Sequence, residues 1–198
     1  MNIGLTGGIA TGKSTVSAWL VQHGAALVDA DLIAREIMMP GHPVLQQVRE
    51  RFGAHMLNED GTLNRKQLGE HIFTHPEERQ ALEGITHPAI RALIHSRVAE
   101  LEAADPQRLV IADIPLLLEA RDAYRFDEIM VVYVPREIQL QRLMQRDGLT
   151  AEQAEKRLAA QMDIEEKKRI ADIVIDNSGT PEQTQQQLQQ FWESKRLV

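Results

Sequence analysis

Eight consecutive residues near the start of the chain, Gly7-Gly8-Ile9-Ala10-Thr11-Gly12-Lys13-Ser14, match the pattern G-x-x-x-x-G-K-[ST] in full. Glycines let such a loop curl until successive backbone N–H groups point inward at phosphate oxygens, and the start of a following helix adds partial positive charge at the same point. In this pattern Lys13 is placed to bridge the β- and γ-phosphates of a nucleotide, and the Ser14 hydroxyl to join a magnesium shell. Gly8, Ala10, Thr11 and Gly12 contribute backbone, and Thr15 reads as a helix residue with a secondary contact. The expected ligand is ATP with Mg2+.

Other residues have the chemistry to complete a phosphoryl transfer. An alcohol acceptor has to be held in line with the γ-phosphate, with a carboxylate close enough to orient it or accept its proton. Asp31 is the candidate; its alternative reading is a simple helix cap, and Asp29, two residues earlier, either shares its face or stabilises the turn. Asp113 ends the apolar run Leu109-Val110-Ile111-Ala112 and reads either as a second magnesium ligand or as an exposed strand-end carboxylate. Arg142 and Arg146, spaced i,i+4, and Arg157 beyond the Asp147-Gly148 turn could converge over bound phosphates as a closing lid. The competing reading is a solvated helical hairpin paired with Glu152 and Glu155. His87-Pro88 reads as a turn, with His87 either facing the acceptor or purely structural.

These residues need a scaffold, and the hydrophobic pattern supplies one. Asn2 to Leu5 suits a buried strand before the loop, and a helix follows from Lys13, with Val16, Trp19, Leu20 and His23 on one side and Gly24 at its stop. Ala25 to Val28, Leu109 to Ala112, Ile129 to Val134 and Ile173 to Ile175 read as further strands, which in an open α/β sheet place ligands at their carboxyl ends. Between the second and third strands only helical periods occur: a segment opened by Pro43 with Leu45, Val48 and Phe52 on one face, then Arg65 to Phe73, Pro76 to Ile85 and Pro88 to Ala103. Arg136 to Arg146 is helical, Thr150 with Gln153 forms a capping box for the next helix, and Pro181 opens a Gln-rich terminal helix that packs through Leu188, Phe191 and Trp192. The expectation is an α/β, three-layer P-loop NTPase core with a parallel sheet over residues 1–34 and 105–198. It carries a helical lid at about 136–170, and residues 35–104 form an inserted all-helical substrate domain.

Composition narrows the classes. At 198 residues the chain holds one good-sized core with appendages. A net charge of -7 and an aromatic content of 4% argue against a nucleic-acid binder, which needs basic surface or stacking rings. No apolar run nears the roughly 20 residues of a membrane span. Cysteine is absent, which excludes disulfides and thiolate sites and is compatible with a reducing compartment. The N-terminus has no secretory pattern and is expected to be the native start of a cytoplasmic protein.

Taken in order, Leu5 to Thr15, Asp29-Ala30-Asp31 with Ile33-Ala34-Arg35, His87-Pro88, Pro115-Leu116-Leu117-Leu118-Glu119, Gln139-Leu140-Gln141-Arg142, Gln145-Arg146-Asp147 and Asp176-Asn177-Ser178-Gly179 resemble the dephospho-CoA kinase family over nearly the whole chain. The resemblance implies transfer of the ATP γ-phosphate to the ribose 3′-hydroxyl of dephospho-CoA, with Asp31 at that hydroxyl and the helical insertion as a CoA domain. It also implies a lid carrying Arg142, Asn177 beside the adenine, and Pro115, Leu116 and Glu119 bordering the acceptor. Ala10-Thr11 stands where the family often has Gly-Ser, and the Ala10 methyl restricts the loop. Two other readings stay open: a kinase of the same architecture acting on a nucleoside monophosphate or small sugar acid, and a nucleotide-binding regulatory switch. The chain has no Asn-Lys-x-Asp guanine-reading segment. Sequence leaves the oligomeric state undefined.

Overall fold

The computed structural model describes residues 1–197. Two compact units form, one from Met1–Val28 with the chain from Arg97 onward, the other from Asp29–Ser96. The helical unit begins six residues earlier and ends eight residues earlier than the expected 35–104, because helix α5 (Pro76–Ala104) runs unbroken through its far boundary.

In the first unit, strands β1 (Asn2–Gly7), β2 (Ala26–Asp29), β3 (Val110–Asp113), β4 (Glu128–Tyr133) and β5 (Ile173–Asp176) form one sheet in the order β2-β3-β1-β4-β5. The β1–β3, β1–β4 and β4–β5 pairings are parallel. The phosphate loop thus leaves the central strand. The register sets Leu5 beside Asp113 and Gly7 beside Val132, so the neighbouring strands end level with the start of the loop. Alternate residues Ile3, Leu5, Ile111, Met130 and Val132 face helices α1 (Lys13–Gln22) and α9 (Pro181–Ser194), burying Val16, Leu20, Leu188, Phe191 and Trp192 with them. His23, expected on the packed side of α1, is exposed and stacks on Trp19 at 3.6 Å. On the other sheet face Leu117 and Phe126 close over Gly4. The remaining helices of this unit are α6 (Arg136–Asp147), α7 (Ala151–Ala159) and α8 (Ile164–Ile170). The expected Thr150–Gln153 capping box opens α7.

The second unit is helical: α2 (Ala30–Glu36), α3 (Pro43–Phe52), α4 (Arg65–Thr74) and the first part of α5, with a core that includes Ile33, Ile37, Val48, Phe52 and Ile94. The turn expected at His87-Pro88 does not exist, because Pro88 lies inside α5. Proline removes one N–H and crowds the carbonyl four residues back, here that of Gly84. Near the proline, Thr86 Oγ1 donates to the Leu82 carbonyl (3.0 Å) and Arg91 Nε to the His87 carbonyl (3.2 Å). An apolar cavity of 260 Å³ lies within this unit, lined by Ala34, Ile37, Met38, Leu68 and Ile72 with Arg65. Among the described residues no helix is long and apolar enough to cross a membrane.

Candidate active site

Gly12, at φ 84°, sits in the left-handed region that glycine tolerates, and it turns the loop into α1. No side chain caps α1 and its first turn has no acidic residue. The Thr15 and Val16 amides bond the Gly12 carbonyl, whereas the Lys13 and Ser14 amides precede the first intrahelical bonds and stay available to an anion. Ala10 holds φ 61°, a left-handed conformation that costs a non-glycine residue about 1–2 kcal/mol. Its methyl packs, partly buried, with Ile9 against the Leu143, Ala154 and Leu158 cluster of the α6–α7 hairpin, which offsets part of that strain. The restriction expected at Ala10 thus shows as a left-handed backbone that hairpin packing partly offsets.

Three loop carbonyls are held from outside and one from within the loop. Lys167 Nζ donates to Gly7 O (3.3 Å), Thr11 Oγ1 to Gly8 O (2.9 Å), Gln139 Nε2 to Ile9 O (2.9 Å) and Asn177 Nδ2 to Thr11 O (2.8 Å). The Ile9 amide donates to Gln161 Oε1 at 3.0 Å. Side chains lie so close to two glycines that a Cβ on Gly8 would collide with the Gln139 amide, and one on Gly12 with that of Asn177. Asn177 is itself oriented by Thr184 Oγ1, which donates to its Oδ1 at 2.8 Å.

Lys13 Nζ pairs with Asp113, whose side chain is only 9% exposed at the end of β3. Asp113 is thus not the exposed strand-end carboxylate of the alternative reading, and it already holds a cation. The Ser14 hydroxyl and Asp113 carboxylate are hard oxygen donors. Two protein oxygens suit Mg2+, which keeps waters and phosphate oxygens for most of its shell.

On α6, Arg142 Nη2 donates to the Asn177 carbonyl at 2.9 Å, which links the hairpin to the segment gripping Thr11. Arg146 and Arg157 converge, but on Asp147, at 2.8 Å and 2.7 Å. The Arg146 hydrogen bond first, then the charges of Arg146 and Arg157, hold the Asp147 carboxyl below its ordinary range. The surface pairs expected for Glu152 and Glu155 go instead to Lys156 (2.8 Å) and Arg136 (2.5 Å).

On the acceptor side, Asp29 and not Asp31 caps α2: its Oδ1 accepts from the Asp31 and Leu32 amides at 2.8 Å and 3.0 Å. The Asp31 carboxylate is exposed and takes no part in the cap. His87 is exposed on α5. After β3, the Pro115 carbonyl accepts from Thr6 Oγ1 (3.0 Å), Leu116 is exposed, and Glu119 Oε1 pairs with Lys167 Nζ at 2.8 Å and accepts from Met162 N at 3.0 Å.

Gln139, Gln161 and Lys167 were missed as site residues by sequence reasoning. The available signal was a polar side chain on the apolar stripe of α6, where Gln139 lies four residues before Leu143; Lys167 gave none, because α8 is too short to show a period.

A phosphate loop on the central strand of a parallel sheet, a carboxylate at the end of the adjacent strand and an arginine-bearing hairpin define a P-loop kinase. The sequence model for dephospho-CoA kinase matches residues 1–183. The chain is 50% identical to a dephospho-CoA kinase of Carboxydothermus hydrogenoformans, covering 94% of this chain and 90% of that one. It is 48% identical to that of Geobacter metallireducens, covering 98% and 96%. The dephospho-CoA kinase structure from Campylobacter jejuni superposes with a TM-score of 0.75 at 32% identity, covering 98% and 96%. The chain belongs to the dephospho-CoA kinase family.

Proposed function

We propose that this chain transfers the γ-phosphate of ATP to the ribose 3′-hydroxyl of dephospho-CoA, giving CoA and ADP, the last step of coenzyme A synthesis. The observation that carries it is family membership over nearly the full chain, with 50% identity to one dephospho-CoA kinase, joined to a complete phosphate loop. The backbone amides around Gly12, Lys13 and Ser14 receive the phosphates, and Lys13 leaves Asp113 to bridge the β- and γ-groups. Ser14 and Asp113 would hold Mg2+, which neutralises charge on the phosphates when bound. Arg142 stabilises the charge spread over the transferring group and helps exclude water.

Asp31 orients the 3′-hydroxyl and accepts its proton; an exposed carboxylate that is not spent on capping suits that task. The cavity of the helical unit has aliphatic walls and one cation, Arg65, a combination suited to an acceptor with both an aliphatic arm and phosphates. Asn177 borders the adenine, and Pro115, Leu116 and Glu119 border the acceptor. A step of coenzyme A synthesis points to a cytoplasmic enzyme working on small molecules, and the net charge of -7 with 4% aromatic residues weighs against nucleic acid as its substrate.

A coupled ADP-release assay with dephospho-CoA, nucleoside monophosphates and gluconate tests the acceptor. Turnover on dephospho-CoA is expected; turnover confined to the others removes the assignment. Tight nucleotide binding without any phosphorylated product would indicate a regulatory switch.

A further inference from the structure

Three side chains from three separate segments grip outer carbonyls of the phosphate loop: Lys167 of α8 on Gly7, Gln139 of α6 on Ile9, and Asn177 after β5 on Thr11. A trans peptide is planar, so a carbonyl and the N–H of the next residue point in opposite directions. Tethering Gly7 O, Ile9 O and Thr11 O from outside therefore aims the N–H groups of Gly8, Ala10 and Gly12 toward the concave side, where phosphate is received. One flipped peptide would instead present a carbonyl oxygen to a triphosphate and repel it.

We propose that Lys167 and Gln139 are positioning residues for nucleotide, holding the Gly7–Gly8 and Ile9–Ala10 peptides with their donors toward the phosphates; this rests on reading the loop as the ATP site. The Lys167 side chain is 0% exposed, and burying an ammonium is costly unless it is paired. Its pairing with Glu119 at 2.8 Å leaves another N–H for Gly7 O. The side chain therefore ties Glu119 to the loop carbonyl. Helix α8 is itself pinned: the Tyr133 hydroxyl donates to Glu165 Oε1 at 2.6 Å, chiefly that bond pushes the phenol up to about 12, and Lys168 Nζ lies 3.9 Å from the centre of the Tyr133 ring. Gln139 is 3% exposed and close-packed on Gly8, and Gln161 fixes the other side of Ile9 through its N–H. The donor at Gly8 and the donor at Ala10 are thereby set by residues that touch no substrate.

The test uses the full chain with Lys167→Met and Gln139→Leu, each removing the donor at nearly constant volume. Titration calorimetry with MgADP, steady-state constants for ATP and dephospho-CoA, and thermal melting are measured on each. The expected result is at least a fivefold loss of MgADP affinity and a matching rise in KM for ATP in both variants, with KM for dephospho-CoA within twofold of the parent in Gln139→Leu, whose side chain is not paired with Glu119, at temperatures where the variant is fully folded. A purely structural role would lower the melting temperature and the active fraction while leaving both KM values in place. Folded variants whose ATP and ADP constants stay within twofold of the parent overturn the proposal, and Gln139→Leu decides on that criterion if Lys167→Met is not recovered folded. Failure of the parent itself to bind MgADP would instead refute the reading of the loop.

Discussion

Asp29 and Asp31 differ in what their carboxylates already do. Asp29 accepts two amide hydrogens at the start of α2, whereas Asp31 is exposed and outside the cap. Removing an N-cap costs about 1 kcal/mol. Asp29→Ala should therefore lower unfolding stability by about that much, read from urea titration. Asp31→Asn should lower turnover roughly 100-fold or more while leaving ATP affinity nearly intact, in line with typical acid–base contributions. Near-normal turnover in Asp31→Asn would show that another group handles the hydroxyl proton. Among the arginines, Arg146 and Arg157 are committed to Asp147 in an exposed cluster, and such pairs contribute about 0–1 kcal/mol. Arg142 lies half-buried against the Asn177 carbonyl, beside the loop. Steady-state assays should show Arg142→Ala losing at least tenfold in kcat/KM for ATP, a much larger loss than for Arg146→Ala or Arg157→Ala.

At the scale of elements, α5 gives the clearest test. An interior proline is about 3 kcal/mol less favourable than alanine in a helix, less whatever the surroundings recover. Pro88→Ala should raise stability by about 1 kcal/mol or more in urea titration if α5 is continuous; a turn at His87-Pro88 would give no gain or a loss. This helix also marks where sequence reading stopped. Strands with β-branched runs, such as β4, and helices opened by Pro43, Thr150 or Pro181 were legible because local chemistry fixes their ends. Pro88 was misread because its local penalty is overridden by helix on both sides. Helix α8, only Ile164–Ile170, is too short to show a period and was not foreseen. The phosphate loop was readable because its function needs glycines at fixed spacing. The grip on its carbonyls was not, because Gln139, Gln161 and Lys167 reach it across 130 or more positions of chain.

At the scale of the whole molecule, a chain carrying a net charge of -7 meets phosphate locally, with the N-terminus of α1 and with Lys13, whose resting partner is Asp113, while buried Lys167 is paired with Glu119. A local, mostly backbone anion site fits a polyanionic small molecule better than a polymer backbone, which asks for a broad basic face. The most direct test of the central claim is the fate of the γ-phosphate. Purified protein is incubated with ATP and dephospho-CoA, and the product is followed by phosphorus NMR. The account predicts one new phosphomonoester resonance, which coincides with the ribose 3′-phosphate of authentic CoA on mixing and grows in step with ADP. Release of inorganic phosphate alone, or a phosphate on any other hydroxyl, would contradict it.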